Sequence, residues 1–144
     1  GGNMEHLVYL DSKSKELDKL LKGTKSMIIR GASGRKMPYG RVDVGDVLYF
    51  INNNGEGQVK ARAIAKSVLN SEKMTKEQSI DLVEKNQEKL KLTDQQFNRW
   101  AGKRYLVLIE LENIEVIEPF NIDKSNYGNM DDWLLVEEIK NVTV

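Results

Sequence analysis

The sequence predicts an α+β chain built as a small, mostly antiparallel β-barrel with helical insertions. Three observations lead there. Apolar runs of strand length arrive in neighbouring pairs, which favours hairpins over alternating strand–helix units. The polar connection Asn52-Asn-Asn-Gly-Glu-Gly57 joins two of those runs with residues that tolerate positive φ, the strongest hairpin signal in the chain. Two helix-start signatures lie back to back between later strands, so helices are inserted into a sheet rather than woven through it.

The elements follow in order. His6-Leu-Val-Tyr-Leu10 is a short β-prone run. Asp11 or Ser12 then offers an N-cap for a helix to about Lys22, with Leu17, Leu20 and Leu21 on one face and Gly23 as the stop. Lys25 to Arg30 reads as a strand centred on Met27, Ile28 and Ile29, and Gly31 to Gly40 as a loop. The turn Val44-Gly45-Asp46 feeds the strand Val47-Leu-Tyr-Phe-Ile51. Its return strand, Gln58 to about Leu69, puts Val59, Ala61, Ala63 and Ala65 on one side and Lys60, Arg62, Ile64 and Lys66 on the other. Thr75-Lys-Glu-Gln78 opens a helix to about Lys91 with Ile80 and Val83 inward, and Thr93-Asp-Gln-Gln96 opens another through Phe97 and Trp100 to Gly102. The continuous apolar run Tyr105-Leu-Val-Leu-Ile-Glu-Leu111 suggests a strand buried on both faces. Alternation continues from Glu112 to Pro119 after a bend at Asn113. Phe120 to Asp132 reads as a loop, and Trp133 to Ile139 as a last short strand or helix.

Composition narrows the chemistry. A chain of 144 residues is expected to form one domain, 4–144, burying roughly two-thirds of its unfolded surface. Gly1-Gly2-Asn3 reads as a cloning remnant ahead of a natural start at Met4. There is no apolar run of membrane-spanning length and no basic-then-apolar leader, so the expected location is the cytoplasm, with no membrane partner. Cysteine is absent, which removes disulfides, thiol nucleophiles and Cys-based zinc sites. The lone histidine, His6, reads as a strand-edge structural residue. Lys, Glu/Asp, Ser/Thr and Tyr remain for chemistry, and no cofactor or metal site is expected.

Charge is uneven along a balanced chain. There are 22 basic and 22 acidic residues overall, yet residues 22–42 carry Lys22, Lys25, Arg30, Arg35, Lys36 and Arg41 with no acid, a local charge of +6. Basic heads and glycine-exposed backbone N–H groups together suit phosphate. Gly31-Ala-Ser-Gly34 supplies the second and Arg30, Arg35, Lys36 and Arg41 the first. Tyr39 is placed to stack on a base. The spacing excludes a Walker loop. The plain alternative is a solvated loop whose arginines pair with Glu110, Glu112, Glu115 or Glu118. A second candidate wall, Asp123 to Trp133, offers Tyr127 and Trp133 beside Asn side chains, or else is a turn with Trp133 in the core. Asp131-Asp132 alone is a thin cation signal. Lys60, Arg62 and Lys66 read as strand-edge guards, and Phe97 and Trp100 as packing anchors.

Two segments together carry a family resemblance. Gly23-x-Lys25-x-x-Ile28-x-Arg30, followed by Arg41-Val-x-x-Gly-Asp46-x-Leu-Tyr-Phe50, resembles the ASCH family of the PUA-like superfamily, and the likeness runs from about Leu7 to Ile139. It implies a PUA-like β-barrel, with the Tyr105 to Glu112 strand closing it and a cleft beside the motif. It also implies RNA binding in coactivator-like or translation-linked roles. Some short members hydrolyse acylated cytidine, using the motif Lys, a Thr three positions later and a distant Glu. This chain has Ile28 there, which supplies neither nucleophile nor base, and Ser26 lies in a different register. Lys25 and Arg30 carry over as matched positions. The expected partner is therefore RNA or a nucleotide-bearing ligand, held between residues 25–41 and 126–133. The alternatives are an amidohydrolase on a modified nucleoside, with Lys25 and Glu110 as its catalytic pair, and a protein-interaction module.

Overall fold

A computed structural model of the chain describes residues 3–123 and 132–144. Six strands, β1 (Glu5–Leu10), β2 (Met27–Ala32), β3 (Val47–Asn52), β4 (Gln58–Asn70), β5 (Tyr105–Asn121) and β6 (Trp133–Glu137), form one sheet in the order β2-β5-β4-β3-β1-β6. Every pairing is antiparallel except β1 with β3, so the expected mostly antiparallel α+β architecture holds. The sheet curls into a half-barrel. β2 and β6 are its edges, and β5 lies inside the sheet between β2 and β4 rather than closing a barrel.

Apolar periodicity explains why the strands sit as they do. Along β4, Val59, Ala61, Ala63 and Ala65 are buried while Arg62 and Lys66 face solvent. The start of β2, Met27 to Ile29, and the start of β5, Leu106 to Ile109, are continuously apolar because both faces are covered there. Ile28, Val107, Ile109 and Leu111 enter the core inside the curl with Phe50 and Trp133. Met27, Ile29, Leu106 and Leu108 pack outward on Val83, Leu90 and Trp100 of the helices.

Helices α2 (Lys76–Leu90) and α3 (Asp94–Trp100) begin with full capping boxes, Thr75 with Gln78 and Thr93 with Gln96. The first helix, α1 (Glu16–Lys22), starts later than expected. Its N-cap is Lys15 in a left-handed conformation, without a side-chain cap. The expected caps are engaged elsewhere: Asp11 Oδ1 accepts from the Lys13 N–H at 3.0 Å, and Ser12 bonds Asn53. Short polar side chains of this kind trade a cap for a local turn readily. Gly23 ends α1 with φ of 79°, as its type predicts. The expected bend at Asn113 appears as a positive φ of 53°, within a single long strand rather than between two. The last element is a strand, followed by a short 3-10 helix, Ile139–Asn141.

Candidate functional site

A groove opens at the gap between the two sheet edges. One lobe, of about 480 Å³, is lined by the end of β1 and the turn after it, by Glu16 and Asn53, and by Gln95, Gln96, Arg99 and Trp100 of α3. A second lobe, of about 330 Å³, runs along Arg30 to Ser33, Lys36, Met37 and Lys103. Arg30, Arg99, Trp100 and Asp132 line both lobes and form the saddle between them.

Arg30 holds the gap together. It projects from edge strand β2, and its Nη2 donates to the carbonyl of Tyr9 on β1 at 2.6 Å. Its Nη1 donates to the carbonyl of Ile29 at 2.8 Å. The guanidinium carbon sits 5.6 Å from the centre of the Trp133 ring and 5.9 Å from that of Trp100. Its Nε lies 3.4 Å from Asp132 Oδ2, and Arg99 Nη2 lies 3.6 Å from the same oxygen. Arg99 stacks closely on Trp100, at 4.3 Å.

The basic loop divides. Lys36 lines the second lobe. Arg35 lies over the rings of Tyr39 and Tyr105, 5.6 Å from each centre. Tyr39 is spoken for: its hydroxyl donates to the Ser71 carbonyl and its ring meets Tyr105 edge-on, so it supports Arg35 instead of offering a free face. Arg35 and Arg41 are exposed and form no ion pair among the described residues. Of the acids considered as partners for the loop, Glu110 pairs with Lys89 at 3.0 Å and Glu115 with Arg62 at 2.5 Å.

Other expected site residues lie away from the groove surface. Trp133 is 1% exposed and belongs to the core, so no base can stack on it. Tyr127 and Asn126 lie outside the described residues, as does Asp131. Asp132 has arginines for partners. Lys25 is also 1% exposed. Its Nζ donates to the Leu90 carbonyl and pairs with Glu16 at 3.3 Å, beneath the first lobe. Burial pushes its pKa down, against the pull of Glu16. Glu110 is not its partner: the Lys89 hydrogen bond lowers the Glu110 pKa and turns that carboxylate elsewhere. Ile28 is fully buried, so the motif position that would carry a nucleophile is core.

His6 is deeper than a strand-edge residue. It is fully buried, with Asp46 Oδ2 at 2.8 Å from Nε2 and the Trp133 indole N–H donating to Nδ1 at 3.0 Å. An indole N–H only donates, so Nδ1 must be the acceptor and the proton sits on Nε2, facing Asp46. Asp46 also accepts the Met4 and Asp43 N–H groups, which makes the Gly-Asp turn the knot that ties down the start of β1.

Sequence reasoning missed Arg99 as a groove residue and took Trp100 for packing alone. Trp100 does pack, at 8% exposure, but it also lines both lobes. The available signal was an Arg-Trp pair at the end of a capped helix, too common a pattern to stand out.

The curled sheet with its edge cleft, α1 before the motif strand and a helical pair before the long strand define an α+β, PUA-like fold of the ASCH type. Solved structures bear this out. The ASCH protein of Zymomonas mobilis superposes with a TM-score of 0.70 at 12% identity, over 96% of this chain and 90% of that one. A serine-to-alanine mutant of that protein gives 0.69 at 12% identity, over 96% and 92%. A tyrosine-to-phenylalanine mutant gives 0.67 at 14% identity, over 96% and 94%. No family model matches the sequence, and no curated protein does. Among the described residues no helix is long and apolar enough to cross a membrane.

Proposed function

We propose that this chain binds RNA, or another nucleotide-bearing ligand, in the groove between the β2 edge and α3. The observation that carries the reading is the charge of the second lobe. Among the described residues, Arg30, Lys36, Arg99 and Lys103 line it with the acid Asp132. Cations gathered in a concave site with low-dielectric walls focus their field on an anion. Arginine forks and lysine heads are the usual phosphate ligands. The first lobe suits the rest of a nucleotide: the exposed side chains of Asn53 and Gln95 bring amides of the kind that pair with base edges. The exposed guanidinium of Arg99, already stacked on Trp100, offers a planar face for a base. Arg35 and Arg41 extend the cationic surface along the same loop for a longer strand.

The test is binding of a labelled single-stranded RNA pool across a salt series, wild type beside Lys36→Ala/Lys103→Ala. Binding should weaken steadily as salt rises. For single strands each phosphate contact contributes about 0.7 to the log–log slope, so the double variant should flatten it by about 1.4. Absence of binding at low salt, or binding indifferent to salt, would overturn the reading.

A further inference from the structure

The Arg30–Asp132–Arg99 saddle is under-filled. Charge-assisted N–H···O contacts settle at about 2.7–2.9 Å. Here one carboxylate oxygen stands 3.4 Å from Arg30 Nε and 3.6 Å from Arg99 Nη2. The Arg30 Nε is buried and lacks a hydrogen-bond acceptor, and its side chain is 8% exposed. A buried donor of this kind is costly to leave unmade. Nothing about Arg30 is loose: the carbonyls of Ile29 and Tyr9 take its other two nitrogens and two indole rings flank it. Arg99 is held on Trp100. Among the described residues, two guanidinium groups set against indole rings therefore share the one stretched Asp132 carboxylate, with one positive charge in excess.

A phosphate group answers each of these points. It is tetrahedral and wider than a carboxylate, so separate oxygens reach both arginines at normal length. It also brings the missing acceptor to Nε. Resting on the reading that the groove takes a nucleotide-bearing ligand, we infer that Arg30 and Arg99 form a phosphate clamp. Its resting occupant is the Asp132 carboxylate, an internal competitor that the ligand's phosphate displaces. Affinity is then set by competition: the clamp is open to ligand only for the fraction of time Asp132 leaves it, and apparent affinity falls by that fraction.

The experiment follows the arginine Nε–H signals by NMR while inorganic phosphate is added, and separately while 5′-phosphorylated or unphosphorylated oligoribonucleotide is added. It compares wild type, Asp132→Asn, Asp132→Asn/Arg99→Gln and Asp94→Asn. Asp94→Asn removes the same charge from α3, outside the groove lining. Asp132→Asn should respond to inorganic phosphate at about tenfold lower concentration than wild type, equivalent to about 1.4 kcal/mol. The gain should shrink when Arg99 is also removed, and Asp94→Asn should follow wild type. Preference for the 5′-phosphorylated oligonucleotide assigns the clamp to a terminal phosphate; equal response assigns it to the internal backbone. An unchanged midpoint in Asp132→Asn, or an equal gain in Asp94→Asn, overturns the inference. Asp132 is 42% exposed at its side chain, so the fold should tolerate the change, and Asp132→Ser serves as a second variant. The two readings fail separately. RNA binding that depends on Lys36 and Lys103 but ignores Asp132 removes the clamp alone. A clamp that takes phosphate while no RNA binds removes the RNA reading alone.

Discussion

At the scale of single residues, the motif lysine is the instructive one. Lys25 sits where a catalytic amine was conceivable, yet it is buried against Glu16 and the last turn of α2. There it ties α1 to α2 and satisfies a helix-end carbonyl that has no partner within its own helix. Removing one member of a buried pair leaves the other charge uncompensated. Lys25→Met should therefore cost about 3–5 kcal/mol in urea unfolding, and Lys25→Met/Glu16→Leu should regain most of it. His6 makes a prediction in pH. Burial lowers its pKa from the ordinary 6.5, against the raising effect of Asp46. The unfolded chain then binds more protons than the folded one just below pH 6.5, so stability is full above that point and falls as pH drops through the window. The contribution cannot exceed about 1.4 kcal/mol per pH unit. It should be absent in His6→Gln, as read from urea midpoints between pH 7 and 5.5.

Elements set the groove's walls. Strands β2 and β5 come so close at Gly31 that an added Cβ would lie 2.6 Å from Leu106 Cδ2 and 3.1 Å from the Tyr105 carbonyl oxygen. Gly31→Ala should cost about 1–3 kcal/mol by overpacking. It should also displace the rim that carries Arg30 and Ser33, so phosphate-dependent binding should weaken with stability. The two capping boxes separate stability from site. Thr75→Ala and Thr93→Ala should each cost about 1 kcal/mol in thermal unfolding. Only Thr93→Ala should also weaken RNA binding, because Thr93 fixes the start of the helix that carries Arg99 and Trp100. Equal binding losses in both would mean that α3 does not position the site. Capping boxes, the hairpin, the Gly23 stop and the doubly buried strands were legible in sequence because each depends on residues close along the chain. The start of α1 was not, since Asn53, distant in sequence, draws Ser12 away from a capping role.

On the scale of the whole molecule, the open seam of the half-barrel is what leaves room for the groove. A closed barrel would bury Arg30 completely. A flat sheet would leave β2 and β6 too far apart for one side chain to span. The curl leaves a gap that Arg30 bridges, from β2 to Tyr9 on β1 and to Asp132 just before β6. On the proposed reading, field focusing in that gap is how a chain with balanced charge binds an anion, and the salt dependence predicted above tests it at this scale.

By itself the sequence determined the class of fold, most element bounds and the presence of one basic, glycine-bearing segment. Those follow from periodicity, turn chemistry and local charge, all short-range. It also marked Arg30 and Lys36 as groove residues. Only the tertiary structure decided that Lys25 and Trp133 are interior, that Tyr39 props Arg35, and that Arg99, Trp100 and Asp132 line the groove with Arg30. Which face of an edge strand meets which helix, and which charge finds which partner, depends on contacts far apart along the chain, and no short window of sequence carries them.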